Sequence, residues 1–120
     1  MKKLFITGGG GYVGSYLISE LLKESFRLKV LIYGQQTSQK IKSGSISYVN
    51  GNLCDANLIT QAIAGCDAVV HLGAIVGSHI LSENMNINYR GTKNIIESCK
   101  INSVNRLIFI SSVSATRTAQ

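Results

Sequence analysis

The sequence has no proline and no tryptophan, and its six acidic residues are outnumbered by twelve basic ones. Without proline, the turns fall to glycine and asparagine. The shortage of acids leaves a formal net charge of +6. Lys2 and Lys3 are the only adjacent basic pair, and the other basic residues are scattered. A scattered excess favours anionic ligands in general and does not mark a nucleic-acid-binding stripe. Cysteine is sparse as well. Cys54, Cys66 and Cys99 are odd in number and too far apart for a Cys-x-x-Cys pair, which argues against a disulfide framework and against a zinc ribbon. Reduced, partly buried thiols in the cytosol are the simplest account. Long apolar runs are missing too. The opening Met1-Lys2-Lys3 resembles the start of a signal peptide, but its apolar part stops at Ile6 and meets four glycines. No run approaches a membrane span. The expectation is a cytoplasmic protein with no metal, no nucleic-acid partner and no membrane partner.

What is present is enough for one domain: 120 residues, 45% of them hydrophobic. The chain is organised around Leu4-Phe5-Ile6-Thr7-Gly8-Gly9-Gly10-Gly11-Tyr12-Val13-Gly14. An apolar strand runs into a glycine turn and then into the helical spacing of Tyr16 to Leu22. Glycines at 8, 11 and 14 let the backbone turn tightly, let a pyrophosphate approach main-chain N–H groups, and let the helix pack close to the strand. A glycine cluster alone is often only a turn. Its place between a strand and a helix is what makes this one a nucleotide-phosphate loop.

In chain order, the pattern predicts a strand at 3–7 and a helix from Tyr12 to Glu24 with Leu17, Leu21 and Leu22 facing inward. A second strand is predicted at Leu28–Tyr33, a polar loop over 34–45, and a third strand at Ile46–Val49. Asp55 is placed to cap a helix from Ala56 to Ala64. A fourth strand follows at Ala68–Leu72. A long helix begins between Ser82 and Asn86 and ends near Lys100. A fifth strand covers Arg106–Ser111. Strands alternating with helices imply right-handed crossovers and a parallel α/β sheet of Rossmann type, order 3-2-1-4-5, with a crevice between strands 1 and 4.

At the end of the second strand, a domain that prefers unphosphorylated cofactor carries an Asp or Glu for the adenosine ribose. Tyr33-Gly34-Gln35-Gln36-Thr37 contains none. Lys40 and Lys42 are near but fixed by no motif. This argues against strict NAD preference and leaves the cofactor as NAD or NADP.

Several motifs then stand together in order. Thr7-Gly8-Gly9-x-Gly11-Tyr12-Val13-Gly14, Gly51-Asn52-Leu53-x-Asp55, Asp67-Ala68-Val69-Val70-His71-Leu72-Gly73-Ala74, Asn88-Tyr89-Arg90-Gly91-Thr92 and Arg106–Ser112 resemble the extended short-chain dehydrogenase/reductase family. They are most similar to its NAD(P)-dependent epimerase/dehydratase branch, which acts on nucleotide sugars. The resemblance spans essentially the whole chain. It implies cofactor contacts from Gly8, Gly9, Gly11, Tyr12, Val13 and Gly14, from Tyr33, from Asn52 and Leu53, from Leu72, Gly73 and Ala74, and from Asn88. In the family an Asp contacts the adenine where this sequence has Asn52, an amide without the charge. Ser112 is implied as the residue that orients the substrate hydroxyl.

The family's proton-transfer pair, a Tyr followed four residues later by a Lys, lies after the fifth strand, beyond residue 120. The substrate-binding part follows later still. Loss of general acid–base catalysis alone costs on the order of a hundredfold in rate. Tyr89 and Lys93 share the pair's spacing but precede the fifth strand, and read as a surface or interface pair. His71 reads as a satisfied strand-end residue rather than a base, His79 as a lone loop residue, and Gly91 as a site of close helix packing. Ser111 and Ser112 could instead do no more than end a strand. The expected function is the cofactor half of an epimerase, dehydratase or reductase, residues 1–120, not competent alone. The alternative is a non-enzymatic dinucleotide-sensing or partner-binding module, with an exposed fifth-strand edge that invites oligomerisation.

Overall fold

A computed structural model describes residues 2–9, 12–32, 43–72 and 81–110. Its elements are β1 (Lys2–Thr7), α1 (Tyr12–Leu22), β2 (Phe26–Ile32), β3 (Ile46–Asn50), α2 (Ala56–Ile63), β4 (Ala68–His71), α3 (Leu81–Ile101) and β5 (Leu107–Phe109). The five strands form one sheet in the order β3-β2-β1-β4-β5, and every neighbouring pair is parallel. This is the Rossmann-like architecture expected from the alternation of strands and helices.

The central strands are buried on both faces, which is why they read as continuous apolar runs. Alternate residues point to opposite sides. Leu4, Ile6, Leu28, Val30, Ile32, Ala68 and Val70 pack with Ile18 of α1. Phe5, Leu31 and Val69 pack with Ile59, Ala62 and Ile63 of α2 and with Ile95 and Cys99 of α3. Among the described residues, one helix therefore covers one face, and two cover the other. Right-handed crossovers leading away from β1 in opposite directions produce this split.

Several boundaries differ from the sequence expectation. β2 begins at Phe26 rather than Leu28, because Phe26 and Arg27 register against Lys2 and Lys3 of β1. α1 ends at Leu22 rather than Glu24. The N–H groups of Lys23 and Glu24 reach back three residues, to the carbonyls of Glu20 and Leu21, and tighten the end. The inward face of α1 is centred on Ile18, 1% exposed, while Leu17, Leu21 and Leu22 are half-buried and flank it. α3 starts one residue before the expected range. β5 is a short edge strand that leaves Ile108, Phe109 and Ile110 about half exposed.

α2 begins as its cap residue predicts: the Asp55 carboxylate accepts from the N–H of Leu58 at 3.2 Å. Polar side chains stitch α2 to α3. The hydroxyls of Thr60 and Ser98 lie 2.9 Å apart, and the Asn102 amide donates to the carbonyls of Thr60 and Ser98. Cys66 and Cys99 are buried, Cys54 is half-buried, and all three are free. Burial pushes the Cys66 and Cys99 thiols up from their ordinary range. No helix among the described residues is long and apolar enough to cross a membrane.

Candidate functional site

The carboxyl ends of β1 and β4 lie side by side, with Thr7 in register with His71. The chain leaves β1 through Gly8, whose φ of 76° is the left-handed conformation that costs glycine least. Gly9 is buried, and a Cβ there would lie 2.8 Å from Ile18 Cδ1. α1 then folds back so closely that a Cβ on Gly14 would overlap the Gly8 carbonyl oxygen and sit 2.8 Å from Gly9 Cα. Backbone, not side chain, therefore forms the junction between strand and helix. The first N–H groups of α1 have no partners within the helix. Its first turn carries no acidic residue to neutralise the positive end of the dipole. Ser15 points back, its hydroxyl 3.4 Å from the Gly9 carbonyl. A junction of bare backbone with unneutralised N–H groups fits the diphosphate of a dinucleotide.

A polar brace ties β1, β4 and α3 together below this bend. The Leu72 N–H donates to the Thr7 carbonyl at 3.1 Å and to the Thr7 hydroxyl at 3.0 Å. That hydroxyl lies 2.6 Å from His71 Nδ1, and His71 Nε2 lies 3.0 Å from the Thr92 hydroxyl on α3. Phe109 of β5 closes over the imidazole, with ring centroids 5.3 Å apart. His71 is 2% exposed, and burial lowers its pKa to about 4. It is neutral near pH 7, with both ring nitrogens engaged. That arrangement is structural, as expected of a satisfied strand-end histidine.

The third strand contributes a rigid turn. The Gly51 N–H donates to the Ile32 carbonyl at 2.9 Å, so the chain leaving β3 stays beside the end of β2. The Asn52 side-chain oxygen accepts from the Cys54 N–H at 2.9 Å, and its main-chain carbonyl accepts from the Asp55 N–H at 2.9 Å. This is an Asx turn leading into the Asp55 cap. α3 holds the turn from the other side. The Asn94 amide donates to the Leu53 carbonyl at 3.1 Å, and Leu53 packs so tightly on Gly91 that a Cβ there would lie 2.5 Å from its Cδ2.

The structure brings the backbone of Gly8, Gly9, Tyr12 and Gly14 together at the head of the crevice, with Leu72 at the end of β4. Val13 is exposed on the first turn of α1, and Asn52 is exposed at the end of β3. Asn88 is half-buried one helical turn before Thr92, on the same face of α3. Gly11, Tyr33, Gly73, Ala74 and Ser112 lie outside the described residues, as do His79 and Ser111. Tyr89 and Lys93 are exposed on α3. Among the described residues no cluster of His, Cys, Asp or Glu could hold a metal. Thr7 and Thr92 stand in the quoted motifs, but sequence reasoning gave neither of them a role of its own. The one available signal was a threonine ending an otherwise apolar strand.

Comparison with known proteins agrees with this geometry. Residues 5–119 match the 3-beta hydroxysteroid dehydrogenase/isomerase family. The 2-alkyl-3-oxoalkanoate reductase of Stenotrophomonas maltophilia is 30% identical over 118 residues, 98% of this chain and 35% of that protein. The decarboxylating sterol-4-alpha-carboxylate 3-dehydrogenase of Dictyostelium discoideum is 32% identical over 117 residues, 93% of this chain and 36% of that protein. Among solved structures, a mutant uronate dehydrogenase from Agrobacterium tumefaciens, complexed with NAD, superimposes with a TM-score of 0.78 at 27% identity. It covers 93% of this chain and 41% of its own. The chain thus spans about a third of the length of the curated relatives it matches.

Proposed function

The chain belongs to the 3-beta hydroxysteroid dehydrogenase/isomerase family, within the extended short-chain dehydrogenase/reductases, and from that premise we propose that its 120 residues are the NAD(P)-binding half of an oxidoreductase interconverting a secondary alcohol and a ketone. The observation that carries this reading is the backbone-only junction of β1 and α1, where Gly14 lies against the Gly8 carbonyl. The names of the relatives, a 3-oxoalkanoate reductase and a sterol 3-dehydrogenase, support the alcohol–ketone chemistry. A nucleotide sugar is a narrower case that these names do not single out.

A bound nicotinamide dinucleotide supplies the hydride acceptor or donor. The chain's own part is binding and orientation. The N–H groups at the start of α1 hold the diphosphate. Asn52 and Leu53 border the base-binding end, and Leu72 borders the crevice between β1 and β4. The brace of Thr7, His71 and Thr92 keeps the ends of those two strands in register. Gly11, Tyr33, Gly73, Ala74 and Asn88 complete the cofactor set, and Ser112 orients the substrate hydroxyl. Dinucleotide binding is the activity these residues carry in this reading.

Calorimetric titration of the 120-residue chain with NAD⁺, NADH, NADP⁺ and NADPH tests this. Saturable one-to-one binding of at least one is expected. A chain with a folded far-UV spectrum that binds none of the four would overturn the proposal.

A further inference from the structure

The α1 side of the sheet is only partly covered. α1 is the one helix there among the described residues, and a trough of about 430 Å³ stays open between it and β5. Strand register lays out the floor. Residues paired across neighbouring parallel strands point the same way. Leu4 pairs with Ala68, and the Val69–Leu107 pairing carried back by one residue sets Ala68 beside Arg106, so these three form one row. Val70 and Ile108 form the next row, and Ile110 lies beyond it. Leu17 and Leu21 of α1 make the wall. From Arg106 to Ile110 the floor runs four residues, about 13 Å. Its upper part is apolar. Its lower end lies at the amino ends of the strands, opposite the glycine bend, and carries Lys2, Arg106 and the Asn105 amide. The lining has a single carboxylate, Asp67, and its Oδ2 already accepts from the Lys3 N–H at 2.8 Å. Neither Lys2 nor Arg106 forms a salt bridge among the described residues.

An apolar hollow with a few polar groups gathered at one end is the usual form of a small-molecule site, and such sites span roughly 300–1,000 Å³. We propose that this trough binds a medium-chain carboxylate, with the acyl chain along β4 and β5 and the head group between Lys2 and Arg106. Length agrees: a saturated chain of about ten carbons matches the floor, since each C–C bond of about 1.5 Å advances it by about 1.25 Å. Charge decides the occupant. The rim is cationic, and a second copy of this chain, itself at +6, offers it no acidic counterpart. A carboxylate is drawn to it, and a guanidinium holds a carboxylate with two parallel N–H donors. The Asn105 amide adds a donor at the same end. Along the chain, covering Ile108 and Ile110, which are 46% and 48% exposed, takes apolar surface out of water. The site shares no residue with the glycine bend and does not depend on the dinucleotide reading.

Calorimetric titration of the 120-residue chain with decanoate, octanoate and octan-1-ol, each as a monomeric solute, tests this. Decanoate is expected to bind one-to-one. Octanoate, two methylenes shorter, should bind about tenfold more weakly. Octan-1-ol, with the same chain length and no charge, should bind more weakly still. Arg106→Gln should weaken decanoate by about fivefold, the worth of a hydrogen bond to a charged group, and leave octan-1-ol unchanged. Ile108→Gln should weaken both ligands. Arg106 and Ile108 are exposed, so neither change disturbs the buried core. Tyr89→Gln, at an exposed aromatic on α3, should change neither. A folded chain that binds no decanoate overturns the proposal. So does octan-1-ol binding as tightly as octanoate, or Tyr89→Gln losing as much as Ile108→Gln, since either marks general adhesion to apolar surface. A dimer in sedimentation velocity that decanoate leaves intact, but that Ile108→Gln dissociates, would mean that a second copy fills the trough, and overturns it too.

Discussion

The imidazole of His71 is held between two threonine hydroxyls and under Phe109, and none of these neighbours is charged. Protonation therefore places a charge in a desolvated site with nothing among the described residues to offset it. The folded-state pKa is about 4, against an ordinary value of 6.5. The native state thus binds its proton later than the unfolded chain does. The stability associated with His71 is fully present above pH 6.5 and is lost as the pH falls toward 4, by about 3 kcal/mol in all. Denaturant unfolding between pH 7 and pH 4 should show that loss. His71→Gln, less stable at neutral pH but unable to titrate there, should show a flatter profile; parallel profiles would place the pH dependence elsewhere. Asp55 supports a smaller prediction. Its carboxylate is the N-cap of α2, so Asp55→Ala should lower stability by about 1 kcal/mol, read as a shift in denaturation midpoint at constant slope.

At the scale of elements, the β1–α1 junction and the α3–turn contact make a matched pair of glycine tests. A methyl group on Gly14 meets the backbone of Gly8 and Gly9, which cannot yield without moving α1 off the strand. Gly14→Ala should cost about 1–3 kcal/mol and weaken dinucleotide binding by tenfold or more. A methyl group on Gly91 meets the Leu53 side chain, at 2.5 Å from Cδ2 and 2.8 Å from Cγ, a clash partly offset because alanine is the better helix former by about 0.5–1 kcal/mol. Gly91→Ala should therefore lower stability by less than Gly14→Ala and leave dinucleotide binding within about threefold. Equal losses in both would mean that the bend has no special role. These elements also show what can be read without coordinates. The central strands, their order and the Asp55 cap were legible, because continuous apolar runs and caps are local signals. The inward face of α1 was legible only as a stripe. Which of its residues sits deepest depends on the angle of the helix over β1 and β2, and the answer, Ile18, comes from packing. The start of β2 at Phe26 comes from pairing with β1. The brace of Thr7, His71 and Thr92 joins residues 64 and 21 positions apart, and nothing local in the chain announces it. The turn at Asn52 was visible as a motif, but the direction of its amide was not, since that depends on which backbone group faces it.

For the whole molecule, the consequential quantity is charge. The net charge of +6 has no carboxylate to offset it over residues 33–37, where the second strand hands over to the next segment. A ligand bound across the carboxyl ends of the strands carries two negative charges in its diphosphate, and a third phosphate when it is the phosphorylated dinucleotide. An acidic residue after the second strand normally repels that third phosphate and accepts from the ribose hydroxyls instead. Since this chain lacks one, NADPH should bind within about tenfold of NADH, a gap of about 1.4 kcal/mol. The two should differ in how they respond to salt. At 0.5 M ionic strength the screening length is several times shorter than at 0.01 M, so the affinity for NADPH should fall more steeply than that for NADH. Thermal unfolding gives an independent readout. A ligand at a hundred times its dissociation constant adds about 2.7 kcal/mol, a shift of about 10 °C in a domain of this size. If NADH produces that shift and NADPH at the same concentration produces none, some group other than a carboxylate after β2 excludes the extra phosphate, and the cofactor preference is for NAD.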